Sequence, residues 1–174
     1  MMLINKKRGK AISLPFQTVA TPFYPLCKCN NKKWHNKMIR QKIKIEKYDW
    51  EIYAYYAIST YYIDEILEHL WDIGVDGENA KRAYENLSEN KIDTGLCYSN
   101  FAKRKSIIVI AKTSSAEEFF NSLTHEASHA CVHIASASYV DLKSEEYAYM
   151  VGDLCMAMYP KIKHLLCDCC REEY

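Results

Sequence analysis

The sequence predicts an α+β fold: a small mixed or antiparallel sheet packs on a long helix, and a further helix returns beside it. Three observations carry this. Two stretches of strand character, residues 40–57 and 95–112, are separated by helical periodicity. A long, capped helical pattern follows the second stretch. The chain has 174 residues and is 49% hydrophobic, enough for one sizeable core and short for two.

The elements follow in order. Residues 1–37 are rich in Pro, Lys and Asn and show no sustained period, so an arm or loosely packed extension is expected. In residues 40–57 Ile43 and Ile45, then Trp50 and Ile52, alternate, which predicts a hairpin turning at Lys47–Asp49. Residues 61–73 place Ile63, Ile66, Leu67, Leu70 and Trp71 on one helical stripe, which Gly74 ends. A shorter helix is expected over 77–89. The second strand region ends in the apolar run Ser106–Ala111. Ser115 and Glu118 then form a capping box for a helix from Ala116 to about Ile134. A loop through Ser136–Leu142 leads to a last helix, about Glu145–Met158, which Pro160 interrupts. The expected division is a basic arm (1–39), a body (40–160) and a cysteine-rich tail (161–174).

The formal net charge of +1 hides an asymmetry. Residues 1–47 hold 12 of the 23 Lys and Arg against one acid, Glu46, for a net of +11; residues 48–174 hold 11 against 21 acids, for −10. The basic residues of 6–47, interleaved with Trp34 and His35, suit phosphate contacts with a nucleic acid, or docking on the acidic body. Pro15, Pro22 and Pro25 break the apolar segment after the basic start, so it makes a poor signal peptide. No apolar run approaches the roughly 18 residues of a membrane span. A cytoplasmic protein with reduced cysteines and no membrane contact is expected.

Chemistry concentrates in His125-Glu126-Ala127-Ser128-His129, an HExxH motif on the long helix. Residues four apart stand one turn apart on the same helical face, so two imidazoles can grip one zinc ion. Glu126 is offset by about 100° and can sit beside the metal without ligating it. Zinc acidifies water, and Glu126 is the expected general base. A catalytic zinc takes a third protein ligand. Glu145, 16 residues after His129, is the first choice and Glu146 the alternative. On the last helix Glu145, Tyr149 and Gly152 share a face, with Gly152 read as allowing close packing and Tyr149 as a hydrogen-bond donor. Ala148, Val151 and Cys155 are read as the neighbouring stripe that points to the core. His133 follows His129 by four more residues, but a straight helix does not easily wrap three such ligands round one tetrahedral ion, so it is read as lying beside the site or on the surface.

The motif followed by a helix carrying Glu145-x-x-Ala148-Tyr149 resembles the gluzincin-type zinc metallopeptidases. It looks most like the small, minimal members of phage and mobile-element genomes. The resemblance spans about residues 95–158. It implies a zinc-dependent peptidase, with His125, His129 and Glu145 holding Zn2+ and Glu126 as base. It also implies an active-site helix that follows an edge strand binding extended peptide, a role that falls to Ser106–Ala111. Larger gluzincins often carry an acid where this chain has Tyr149, and its loop between the second His and the ligand Glu is short. Tyr149 or Tyr139 is the candidate to stabilise an oxyanion.

Other constellations point elsewhere. Cys27 and Cys29 near His35, with Cys167, Cys169 and Cys170 near His164, could make a second, structural zinc site if the ends meet, against scattered reduced thiols. Cys131 and Cys155 are read as small core residues. The aromatic run Trp50, Tyr53, Tyr55, Tyr56, Tyr61 and Tyr62 is read as core packing rather than a base-stacking platform. The alternative to an enzyme is a non-catalytic, zinc-stabilised structural or nucleic-acid-associated protein of a mobile element.

Overall fold

The computed structural model describes residues 38–58, 63–88 and 95–167. Strands β1 (Ile39–Ile45) and β2 (Trp50–Ile58) form an antiparallel hairpin across a 3₁₀ turn, Glu46–Tyr48. Asp49, at φ 47°, reverses the chain there, where an Asx side chain tolerates the left-handed region. Helices α1 (Ile63–Asp72) and α2 (Gly77–Ser88) follow. Then come the hairpin strands β3 (Gly95–Asn100) and β4 (Lys105–Ala111) and the helices α3 (Ala116–Ala137) and α4 (Glu145–Ile162). The fold is α+β with a four-stranded mixed sheet. Strand order is β1-β2-β4-β3; β2 and β4 are parallel and the outer pairs antiparallel.

Helices cover both faces of the sheet, one layer more than the sequence suggested. Tyr55, Ile107 and Val109 pack on Ile66 and Leu70 of α1 and Ala80, Ala83 and Leu87 of α2. Ile52, Ala54, Ile108 and Ile110 pack on Leu123, Ala127 and Ile134 of α3 and Met150, Leu154 and Met158 of α4. The alternation of β4 therefore serves two cores, which is why Ser106–Ala111 reads as one apolar run. It also places β4 inside the sheet. The edge strand beside α3 is β3, so Ser106–Ala111 is not the expected edge strand.

Several local expectations change with the packing. Gly74, at φ 86°, ends α1 as expected, but Trp71 is exposed, because the buried stripe runs through Ile66 and Leu70. Helix α4 continues through Pro160 to Ile162. The proline stands on the exposed side, while Ile162 and then Leu165 anchor the last turn in the core. Residues 161–167 thus belong to the folded body rather than to a tail. The core stripe of α4 is Met150, Leu154, Met158 and Ile162; Val151 and Cys155 flank it and Ala148 is exposed. Ser115 caps α3 by accepting from the Glu118 amide at 3.2 Å. The Glu118 carboxylate answers one residue early, accepting from the Ser114 amide at 3.0 Å.

The charge division at residue 47 also moves. Arg40, Lys42, Lys44 and Lys47 lie in β1 and its turn, paired with Glu65, Glu51, Glu46 with Asp49, and Glu146 respectively. Four of the twelve basic residues thus belong to the β1–β2 hairpin, so the change of charge at residue 47 falls inside a folded element rather than at its border. Residues 1–37, with Cys27, Cys29 and His35, lie outside the described residues, as do Tyr61, Tyr62, Cys169 and Cys170. No helix among the described residues is long and apolar enough to cross a membrane.

Candidate metal centre

Helix α3 buries Phe119, Leu123, Ala127, Ala130 and Ile134 against the sheet. At 100° per residue, His125, His129 and His133 form a row to one side of that stripe, and Glu126 falls between row and stripe. Ala127 and Ala130 let the helix approach the strands closely. The spacing alone dictates this placement once the apolar face has docked.

The Nε2 atoms of His125 and His129 approach to 3.1 Å, with the rings edge to face at a centroid distance of 4.7 Å. Two nitrogens bound to one tetrahedral zinc at its usual bond length lie about 3.3–3.4 Å apart. The separation matches two corners of such an ion and equally an N–H···N hydrogen bond between the two neutral rings, which a bound metal would replace; imidazole nitrogen suits zinc. Burial, and then the neighbouring His125, hold His129 below the usual histidine range, which keeps it in the neutral form a ligand needs.

Glu126 is 4% exposed, and burial pushes its carboxyl up to about 7. It lies over the start of β3. A Cβ added to Gly95 would stand 2.7 Å from Glu126 Cγ and 2.7 Å from the Val109 carbonyl oxygen, so only glycine permits this approach. Two residues on, burial and then Glu126 push the Cys97 thiol above its usual range. Two further on, Ser99 Oγ lies 2.9 Å from His133 Nδ1. The side of β3 facing α3 is thus Gly95, Cys97 and Ser99, small residues at every second position. These are contacts the sequence reading missed. The signal was the alternation itself, since three small residues opposite a functional helix leave room for its polar side chains.

The structure does not bring Glu145 into this group. Among the described residues no third His, Cys, Asp or Glu joins the pair in a metal-sized cluster. Glu145 stands exposed in the first turn of α4, where Ser144 caps the helix by accepting from the Tyr147 amide at 3.2 Å. With Glu146, Tyr149 and Asp153 it lines a groove of about 640 Å³ between α4 and the end of β1. Glu146 is engaged elsewhere: Lys47 Nζ lies 2.8 Å from its carboxylate and Tyr48 donates to it at 2.7 Å, and these two hold its carboxyl below the usual range. Gly152 is exposed with open space around it, so it does not serve close packing. Tyr149 is 69% exposed on the groove side, and Tyr139, at φ 57° after α3, is 97% exposed. Trp50, Tyr55 and Tyr56 are buried in the core as expected.

No family model matches the chain, and no curated protein or solved structure is significantly similar to it.

Proposed function

We propose that this chain is a zinc-dependent hydrolase with extended peptides as its substrates. One observation carries the reading: two imidazole nitrogens meet at metal-sharing distance on α3, with a buried carboxyl one residue from the first of them. His125 and His129 would hold the metal. Bound zinc supplies Lewis acidity, which polarises a carbonyl group and acidifies water.

The chain's own groups do the rest. Glu126 takes a proton from the attacking water on its carboxylate and returns it to the leaving amine. Its apolar setting suits this exchange, because a carboxyl that titrates near neutrality both gains and gives up a proton readily. With a dication held by His125 and His129, the ionised form of Glu126 would be favoured and that value lowered. The outer edge of β3 offers backbone N–H and C=O groups, to which an extended peptide can add as a further strand beside the histidine row. Glu145 enters the ligand set only through a movement of the first turn of α4 toward the pair.

The test uses the full-length chain. Zinc content is measured for wild type and His129→Ala, and cleavage of casein and a peptide panel for wild type and Glu126→Gln. The expected result is zinc in wild type, loss in His129→Ala, and cleavage that falls by roughly a thousandfold in Glu126→Gln while its zinc remains. Zinc in both wild type and Glu126→Gln with cleavage in neither sinks the enzyme and leaves the zinc-stabilised structural protein.

A further inference from the structure

A chain of hydrogen bonds crosses the sheet and ends on His133. The Trp50 indole Nε1–H, on β2, donates to Ser106 Oγ on β4 at 2.8 Å. The Ser106 and Ser99 hydroxyl oxygens are 2.6 Å apart, and Ser99 Oγ on β3 lies 2.9 Å from His133 Nδ1. Trp50 and Ser106 are fully buried.

One direction satisfies every hydroxyl through oxygen and imidazole nitrogen, the strong acceptors present. An indole N–H only donates, so Ser106 accepts from Trp50. Its own proton then goes to Ser99, and the Ser99 proton goes to His133 Nδ1. In the reverse order His133 Nδ1–H donates to Ser99 and Ser99 to Ser106. The Ser106 hydroxyl proton is then left with no acceptor inside the core, an arrangement buried hydroxyls rarely adopt. In the remaining order Ser99 accepts from both Ser106 and His133, and its own proton turns to the Cys97 sulfur, a much weaker acceptor than an imidazole nitrogen. With Nδ1 accepting, a neutral imidazole carries its proton on Nε2. Burial, and then His129, keep His133 below the usual histidine range, consistent with a neutral ring.

We propose that Trp50, Ser106 and Ser99 hold His133 as the Nε2–H tautomer, and that this N–H donates to the carbonyl oxygen of a peptide lying along β3. The tautomer stands on the hydrogen bonds alone; the substrate rests on the hydrolase reading. His133 is placed for this. Its ring runs nearly parallel to that of His129 at a centroid distance of 6.4 Å and leans on Phe101 at 5.7 Å. It is half-buried, and its Nε2 is not sealed in the core. The assignment separates three histidines that share one spacing. A nitrogen that keeps its proton does not ligate a metal, so His133 is a donor where His125 and His129 are ligands. It also supplies what Tyr149 and Tyr139, on open surface, do not: a fixed dipole aimed at charge that develops on the carbonyl oxygen. Trp50, Ser106 and Ser99 are positioning residues.

The experiment reads the tautomer first. Side-chain 1H–15N correlation spectra of the full-length chain at pH 8, without added metal, report which nitrogen of each histidine bears the proton, and the His133→Gln spectrum assigns the signal. The expected result is Nε2–H for His133 in wild type, a mixture of tautomers in Ser99→Ala, and return to Nε2–H in Ser99→Thr, which keeps the hydroxyl. An Nδ1–H ring in wild type, or a Ser99→Ala spectrum like that of wild type, overturns the tautomer. On a peptide that wild type cleaves, His133→Gln is expected to lower kcat roughly a hundredfold with little change in KM; an unchanged kcat overturns the donor role. A wild type that cleaves no peptide overturns the hydrolase reading and the donor role with it, while the spectrum still decides the tautomer.

Discussion

Helices α3 and α4 lie side by side on the same face of the sheet, yet their polar residues live in different surroundings. On α3 Glu126 and His133 are pressed against β3 and the row continues outward from them: Glu126 is buried, His133 is tied to Ser99, and the exposed His125 and His129 nitrogens meet. On α4 the face carrying Glu145, Tyr149 and Gly152 is open, and Glu146 is drawn toward Lys47 and Tyr48 at the end of β1. The contrast shows which inferences survive folding. Spacing within one helix becomes geometry whatever the helix packs on. A relation between two helices depends on the angle and rotation at which each docks, and those are set by the core.

The largest effect expected from this contrast is in metal retention. His125→Ala and His129→Ala each remove half of the converging pair. Losing even an outer-shell partner typically weakens a metal site 10–100-fold, so each is expected to lower zinc affinity by roughly a hundredfold or more. Glu145→Gln is expected to lower it far less. Competition with a chelating dye measures all three. Equal losses at Glu145 and His129 would break the comparison and place the first turn of α4 at the metal in solution.

Next in size is the burial of Glu126. Its carboxyl titrates near 4.5 in an unfolded chain and at about 7 in the metal-free fold. Between those values the folded state binds more protons than the unfolded one, so stability falls as pH rises through the window and levels off above it. The glutamine variant lacks this proton. Relative to wild type, metal-free Glu126→Gln is therefore expected to gain about 3 kcal/mol between pH 4.5 and pH 8. Urea unfolding at the two pH values measures it, and parallel curves would mean that Glu126 is solvated.

Much of α3 was legible in the sequence because its signals are local. The Ser115 cap, the apolar stripe and the i, i+4 histidines all act within one or two turns. The phase of α4 was not. Ala148, Met150, Val151, Leu154, Cys155 and Met158 are all apolar, so the pattern leaves two rotations open and only the packed sheet chooses Met150–Leu154–Met158. Ser106–Ala111 was legible as a strand but not as an interior one, since a doubly covered strand and a buried edge read alike. The hydrogen bonds from Trp50 to His133 depend on cross-strand register, with Ile52 and Ser99 both opposite Ser106, and no single segment records that.

Two glycines carry the comparison to smaller energies. At Gly95 an added methyl meets a backbone oxygen, Val109 O, and the Glu126 side chain, both at 2.7 Å. The side chain can swing aside but the carbonyl is held in the ladder between β3 and β4. Gly95→Ala is thus expected to cost about 1–3 kcal/mol as overpacking, read as a lower Tm, and to displace Glu126.

At Gly152 an added methyl meets nothing within 4 Å. The residue sits in mid-helix on the exposed face of α4, where glycine carries only its entropic disadvantage. Gly152→Ala is therefore expected to stabilise the fold by about 0.5–1 kcal/mol, read as a small rise in Tm with unchanged zinc content. The sign is what matters. A glycine kept so that the helix could close on a neighbour resists a methyl group, as Gly95 does, whereas one on an open face accepts it. A fall in Tm at Gly152 would mean that something covers this face of α4 in solution, and the contrast between the two helices would then describe only the described residues by themselves.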